Sequence, residues 1–418
     1  MIGPEDLASD MECVLDRFAI RSPEVTEGSP PKGAPSRTEI CEWIKALAAS
    51  KPQLFSRFDY GWALDPCSYR DSAEAVLQME TLFALSEIDP KHPALATHRP
   101  TVVRVVATID FASTFVRGEL CDYILISRPH YVLLRELAVL LRTLHAGAPP
   151  EIRNARPMLP DSWIGDALDE LLAHGRERLR ELVEPLQKHA VALYQEELPP
   201  DPVLLNDWLA ARGVKADPFA WELVVMYTGA DHFVLFHELS HALDLDPHDG
   251  PRDLATELLT DRGALSLMLI GVGSSKARVS LGLPELPPED LVIGPTAYLH
   301  LLRMLALFHG AWRSAAALAD QTFAPEDRAV AETRRALTEI DARLAYLIPS
   351  VSACGVEPLV PRMITRVFSG HALSRAAGAL LLDQVGQEFE LDDLPLFDIS
   401  GARASLDDAF GPPRASAP

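Results

Sequence analysis

Cysteine is scarce: five in 418 residues, at positions 13, 41, 67, 121 and 354. They are odd in number, far apart and form no CxxC, which excludes a disulfide framework and a cysteine-based metal knuckle. Buried, reduced thiols in a cytoplasmic protein are the expectation. Positive charge is also in deficit: 38 Lys and Arg stand against 60 Asp and Glu, a net charge of −22. That balance argues against nucleic acid and against an anionic membrane surface as partners. Long apolar runs are missing; a stretch such as Gly263–Gly273 has about half the length that a spanning helix requires. The first twenty residues carry neither a basic stretch nor an apolar core, so no signal peptide is expected there. There is no GxSxG nucleophile elbow, no GxxxxGK[ST] phosphate loop and no EF-hand spacing.

What is present is ample apolar material, 48% of the chain, enough for a large core and two or three domains. Helical spacing is evident from Arg37, with Ile40, Trp43, Ile44 and Leu47 on one face, and again over Ala73–Leu85. Thr101–Thr108 and Asp122–Ser127 are rich in β-branched and aromatic residues and are the best strand candidates. Trp221–Tyr227 fits a third strand or a helix. Helices are expected over Tyr131–Leu144, Ala297–Ala317, Glu326–Tyr346 and Met363–Val385. The fold class is α+β, mostly α, with one small sheet. The organisation predicted is a helix and Pro/Gly/Ser-rich linker (1–36), an α+β region (37–150), a catalytic core (151–282), a helical region (283–410) and a disordered tail (411–418).

Chemistry concentrates in Asp231–Asp244, DHFVLFHELSHALD, which contains His237-Glu238-Leu239-Ser240-His241, an HExxH pattern. Histidines four apart lie one above the other on a helix, so both imidazoles reach one metal. Neutral imidazole suits zinc. Glu238 projects beside the metal, where it can take a proton from an attacking water. With 13 histidines in the chain, about 0.03 chance matches are expected. Asp231 is placed to cap this helix, after Thr228-Gly229-Ala230 as a turn.

Two histidines do not complete a zinc site. A third histidine at the metzincin spacing is missing, since Asp244 and Pro247 stand at the required positions. Downstream, Glu257 and Asp261 lie four apart on the segment Asp253–Leu269, with Leu254, Leu258, Leu265 and Met268 on the opposite face. A carboxylate there can complete the coordination, and one a turn further can accept the outer N–H of a ligating histidine.

HExxH followed by ExxxD on the next helix resembles the gluzincins, which include the thermolysin-like peptidases and the CAAX prenyl protease group. Thr260-Asp261-Arg262-Gly263-Ala264 is similar to the ADRxA stretch of their second helix. The resemblance covers about residues 231–269. It implies a zincin-like core, one zinc held by His237, His241 and Glu257, Glu238 as general base, and Asp261 behind a ligand, His237 foremost. The CAAX group is membrane-embedded and this chain has no spans, so prenylated substrates are not implied.

The function expected is a cytoplasmic zinc peptidase that hydrolyses a peptide bond in a specific intracellular protein, with any activator unnamed by the sequence. The tetrahedral oxyanion requires a further donor; Tyr298, His300, Arg303 and His309, after the Pro-rich connection Pro284–Pro295, are the candidates. The alternative is a non-catalytic regulatory or interaction module that binds metal. Glu238 separates the two, because a purely structural site has no use for a base there. The acidic loop Asp244–Asp253 raises the question of a second cation, with a solvated loop as the simpler reading.

Overall fold

The computed structural model describes residues 4–17, 35–106, 113–127, 218–243, 253–280, 294–307, 326–361, 363–364 and 366–367. The expected helix Tyr131–Leu144, the Pro-rich connection up to Ile293, the acidic loop up to Arg252 and His309 lie outside these residues. The described part is mostly helical with one small mixed sheet.

Helices α1 (Pro4–Arg17), α2 (Arg37–Ser50), α3 (Pro52–Arg57) and α4 (Ser72–Glu87) come first. Ser36 caps α2 through a reciprocal box: its hydroxyl accepts from Glu39 N at 3.2 Å, and its own N–H donates to Glu39 Oε2 at 2.7 Å. Ile40, Cys41, Ile44 and Leu47 are buried, as their spacing predicts. Asp71 caps α4, its carboxylate accepting from Glu74 N at 2.9 Å.

The sheet has strand order β1-β3-β2, with β1 Thr101–Val106, β2 Ser113–Arg117 and β3 Asp122–Ser127. β1 runs parallel to β3, and β2 antiparallel to it. β1 and β3 are the two strands expected from their β-branched and aromatic content; β2 (STFVR) carries only the short run Thr114-Phe115-Val116 and lies outside the expected strands. Asp10 of α1 is buried and secures the β2–β3 turn. It accepts from Glu119 N (2.8 Å), Leu120 N (3.1 Å), Cys121 N (3.3 Å) and the Tyr123 hydroxyl (2.8 Å).

The outer edge of β1 is sealed by side chains. The Tyr60 hydroxyl accepts from Thr101 N (2.9 Å), and Gln78 spans Thr101 O (3.0 Å) and Val103 N (2.9 Å). Glu74 accepts from Val105 N (3.0 Å), while Arg70 donates to Val105 O (2.6 Å). An edge saturated in this way cannot accept another strand. Among the described residues no strand pairs with the outer edge of β2.

The second half supplies α5 (Pro218–Ala242), α6 (Leu254–Gly273), α7 (Ser275–Ser280), α8 (residues 294–307) and α9 (Glu326–Ala353). α5 packs against β2, β3, α4 and α6, and α6 packs against α9. Trp221–Tyr227 is helical. Asp231 is therefore inside α5 and caps nothing, and Thr228-Gly229-Ala230 is no turn. The glycine serves packing instead: a Cβ on Gly294, at the start of α8, would lie 2.3 Å from Gly229 O. Backbone meets backbone there, which only glycine permits.

The thiols divide differently from the expectation. All five are unpaired, but only Cys41 and Cys121 are buried, while Cys13 and Cys67 are exposed. No helix among the described residues is long and apolar enough to cross a membrane.

Candidate metal centre

α5 is apolar on all sides where it carries the histidines: Phe233, Val234, Leu235, Phe236, Leu239, Ala242 and Leu243 are buried. Such a helix sits inside a domain, so His237, Glu238 and His241 are drawn out of water with it. Ser240 closes on its own helix, donating to Phe236 O at 2.8 Å. α6 begins at an Asp253 cap, whose carboxylate accepts from Thr256 N at 2.9 Å. Helical geometry then sets Glu257 and Asp261 one turn apart, on the side facing α5.

His237, His241 and Glu257 converge, with one donor atom of each lying within 4.8 Å of the others. The two rings are 4.9 Å apart and nearly perpendicular. His237 Nε2 lies 3.2 Å from Glu257 Oε2, and His241 Nε2 3.8 Å from Glu257 Oε1. Two imidazole nitrogens and a carboxylate oxygen form a donor set that suits a divalent transition metal, zinc included, so the three residues can hold a metal ion.

The outer nitrogens fit that use. His237 Nδ1 is 2.9 Å from Asp261 Oδ1. An ionised carboxylate only accepts, so Nδ1 carries a proton, and Nε2 faces the cluster, where a bound metal would take the place of its second proton. His241 Nδ1 has the Thr260 hydroxyl at a longer 3.5 Å; that hydroxyl donates to Thr256 O at 2.9 Å, which leaves it an acceptor for the ring.

Electrostatics holds the carboxylates ionised. Burial opposes the charge on Glu257, but His237 and Arg343 beside it keep its carboxyl well below the usual range. Burial also opposes ionisation of Asp261, and the Arg343 charge with hydrogen bonds from His237 and Arg343 outweighs it. Burial by itself lowers the pKa of His237; Asp261 and Glu257 reverse this and push it up to about 9 in the metal-free site.

Two groups at the site carried no readable signal or a weak one. Ser113, the first residue of β2, donates to Glu238 Oε1 at 3.0 Å; a serine 125 positions away has no sequence mark. Arg343 of α9 grips Asp261 at 2.8 and 2.7 Å and stands 3.6 Å from Glu257 Oε2. Its signal was its register: it lies between Ile340 and Leu347 at helical spacing, on the apolar stripe where an arginine requires a partner.

The candidate oxyanion donors separate. Tyr298 is buried on α8, with its ring 5.9 Å from Phe233, among the charges of Arg343, Glu238, Asp261 and Glu257. Burial, against which Arg343 works, leaves its phenol well above the ordinary value. Arg303 pairs with Asp341 of α9 at 3.0 Å. His300 is buried, and burial, aided by Arg303, lowers its pKa to about 3.

Comparison with known proteins adds nothing to this geometry: no family model matches the chain, and neither the curated proteins nor the solved structures contain a match.

Proposed function

We propose that the chain is a zinc-dependent peptidase with a zincin-like core. The observation that carries the reading is the convergence of His237, His241 and Glu257 from two consecutive helices, with Glu238 beside them on α5 and Asp261 behind His237. A zinc ion held by the three would supply Lewis acidity, acidifying water and polarising the scissile carbonyl. Glu238 is the group to accept the proton of the attacking water and return it to the leaving amine. Ser113 fixes one oxygen of that carboxylate. Tyr298, held neutral by burial, is the donor for the oxyanion.

The sheet supports a peptide as substrate. β1 is closed by Tyr60, Gln78, Glu74 and Arg70. Among the described residues β2 is the remaining edge strand, and its first residue touches Glu238. An extended peptide added along β2 would run past Glu238 with its backbone hydrogen bonds satisfied. The partner is a protein or peptide substrate, with a specific cellular protein favoured over general digestion.

The test is hydrolysis of a proteome-derived peptide library by the zinc-loaded protein and by Glu238→Gln. Cleavage at defined sites is expected, reduced at least about 100-fold in the variant at equal zinc content. Equal rates in the two proteins would remove Glu238 from the mechanism.

A further inference from the structure

The ligand set does not account for Arg343. It is on α9, 82 residues from Asp261 and on a different helix, yet it makes the closest polar contacts of any cation to the cluster among the described residues. Its Nε meets Asp261 Oδ2 at 2.8 Å and its Nη2 meets Oδ1 at 2.7 Å, a two-point fork on one carboxylate. Oδ1 is the same atom that accepts from His237 Nδ1. The third nitrogen, Nη1, stands 3.6 Å from Glu257 Oε2. One guanidinium thus touches both carboxylates of α6, the one at the metal position and the one behind the histidine.

From this we infer that Arg343 is the positioning residue of the metal centre, acting through Asp261 to orient His237 and holding the site's charge in balance. The inference rests on the zinc-site reading above. The physical argument has two parts. Asp261 is fully buried, and a lone buried carboxylate is free to rotate between partners. A two-point fork removes the rotation and fixes the oxygen that His237 requires. The second part is charge. Glu238, Glu257 and Asp261 bring three negative charges to a site shielded from water; zinc supplies two positive charges and Arg343 the third. Without the guanidinium the loaded site is left with net charge in a medium that solvates it poorly.

The arrangement makes α9 part of the centre. α6 packs on α9, and Arg343 is a charged link across that contact. Lysine would keep the charge and lose the fork, so it separates the two parts of the argument.

The experiment uses the full chain, stripped of metal and reloaded with zinc against a chromophoric chelator. The proteins are wild type, Arg343→Met, Arg343→Lys, Asp261→Asn and Asp261→Asn with Arg343→Met. Cobalt in place of zinc gives an absorption spectrum that reports ligand geometry. Arg278→Met is the control for buried pairs in general, because Arg278 grips Glu80 at 2.7 and 2.6 Å on α4.

Arg343→Met is expected to weaken zinc binding about 10–100-fold and to shift the cobalt spectrum, with Arg343→Lys recovering only part. In the Asp261→Asn background the same change is expected to cost little more, since Arg343 acts through Asp261. Arg278→Met is expected to lose stability while each folded molecule binds zinc like the wild type. Wild-type affinity and spectrum in Arg343→Met would overturn the inference, as would losses that multiply in the double variant. If the methionine variant does not fold, Arg343→Lys decides, and full wild-type affinity there counts against the fork. A wild type that takes up no zinc overturns the zinc-site reading itself, an outcome distinct from wild-type and variant proteins binding equally.

Discussion

Three carboxylates stand within one small volume, and their surroundings give them different work. Glu257 lies between two imidazoles, Asp261 is held by Arg343 and His237, and Glu238 has the Ser113 hydroxyl. The spacing of the HExxH and ExxxD residues made the first two placements readable, because i,i+4 geometry follows from the helix alone. Arg343 and Ser113 were not readable in the same way: they reach the site from 82 and 125 positions away, and periodicity carries no information across such distances. Tyr298 was one of four candidates, and it is the one we propose because it lies buried among the charges of Arg343, Glu238, Asp261 and Glu257. Tyr298→Phe keeps the ring against Phe233 and removes only the hydroxyl. It is expected to lower kcat about 100-fold or more with KM nearly unchanged, the pattern of a donor used in the transition state. Steady-state kinetics on a cleaved peptide would show it, and an unchanged kcat would exclude the hydroxyl.

At the scale of elements, the helices with amphipathic sequences were legible, and the apolar ones were mistaken in detail. α2 and α4 announce themselves by spacing. α5 has no polar face opposite an apolar one, so its Thr228-Gly229-Ala230 resembled a break between elements. The structure shows instead a helix crossing, with Gly229 against Gly294 at the start of α8. Strand β2 is short, and its run Thr114-Phe115-Val116 is only three residues long, too little to mark a strand by composition. The crossing makes a specific prediction. Gly294→Ala places a methyl group 2.3 Å from Gly229 O, and two backbones must separate to admit it. The expected cost is about 1–3 kcal/mol, measured by urea unfolding of the metal-free protein. A cost below about 0.5 kcal/mol would mean that α5 and α8 are not in backbone contact.

At the scale of the whole molecule, buried histidines of opposite character set the response to pH. His98 Nε2 shares a hydrogen bond with the Tyr60 hydroxyl at 3.0 Å, and burial, with Arg57 nearby, lowers its pKa to about 4; His300 falls to about 3. Both are depressed from an ordinary 6.5. Their contribution is present above 6.5 and is lost as pH falls toward 4 and 3, at up to about 1.4 kcal/mol per unit for each ring. His237 has the reverse sign. Raised to about 9 in the metal-free site, it contributes fully below 6.5, and that contribution is lost as pH climbs through 9. The metal-free protein is therefore expected to be most stable near pH 6.5. In the zinc-loaded protein the loss on the basic side disappears, because a ligating ring is already deprotonated. Urea midpoints at pH 5, 6.5 and 8.5, with and without zinc, check this; a metal-free protein more stable at 8.5 than at 6.5 would refute the assignment of His237.

The central claim is that two histidines of α5 and one glutamate of α6 hold a single zinc. The most direct measurement is the zinc content of purified wild type beside Glu257→Ala, each dialysed against the same trace of zinc. The account predicts one zinc per wild-type chain and a sharp loss in the variant. Equal zinc in both proteins would place the third ligand elsewhere, and zinc in neither would leave the cluster of His237, His241 and Glu257 without its metal.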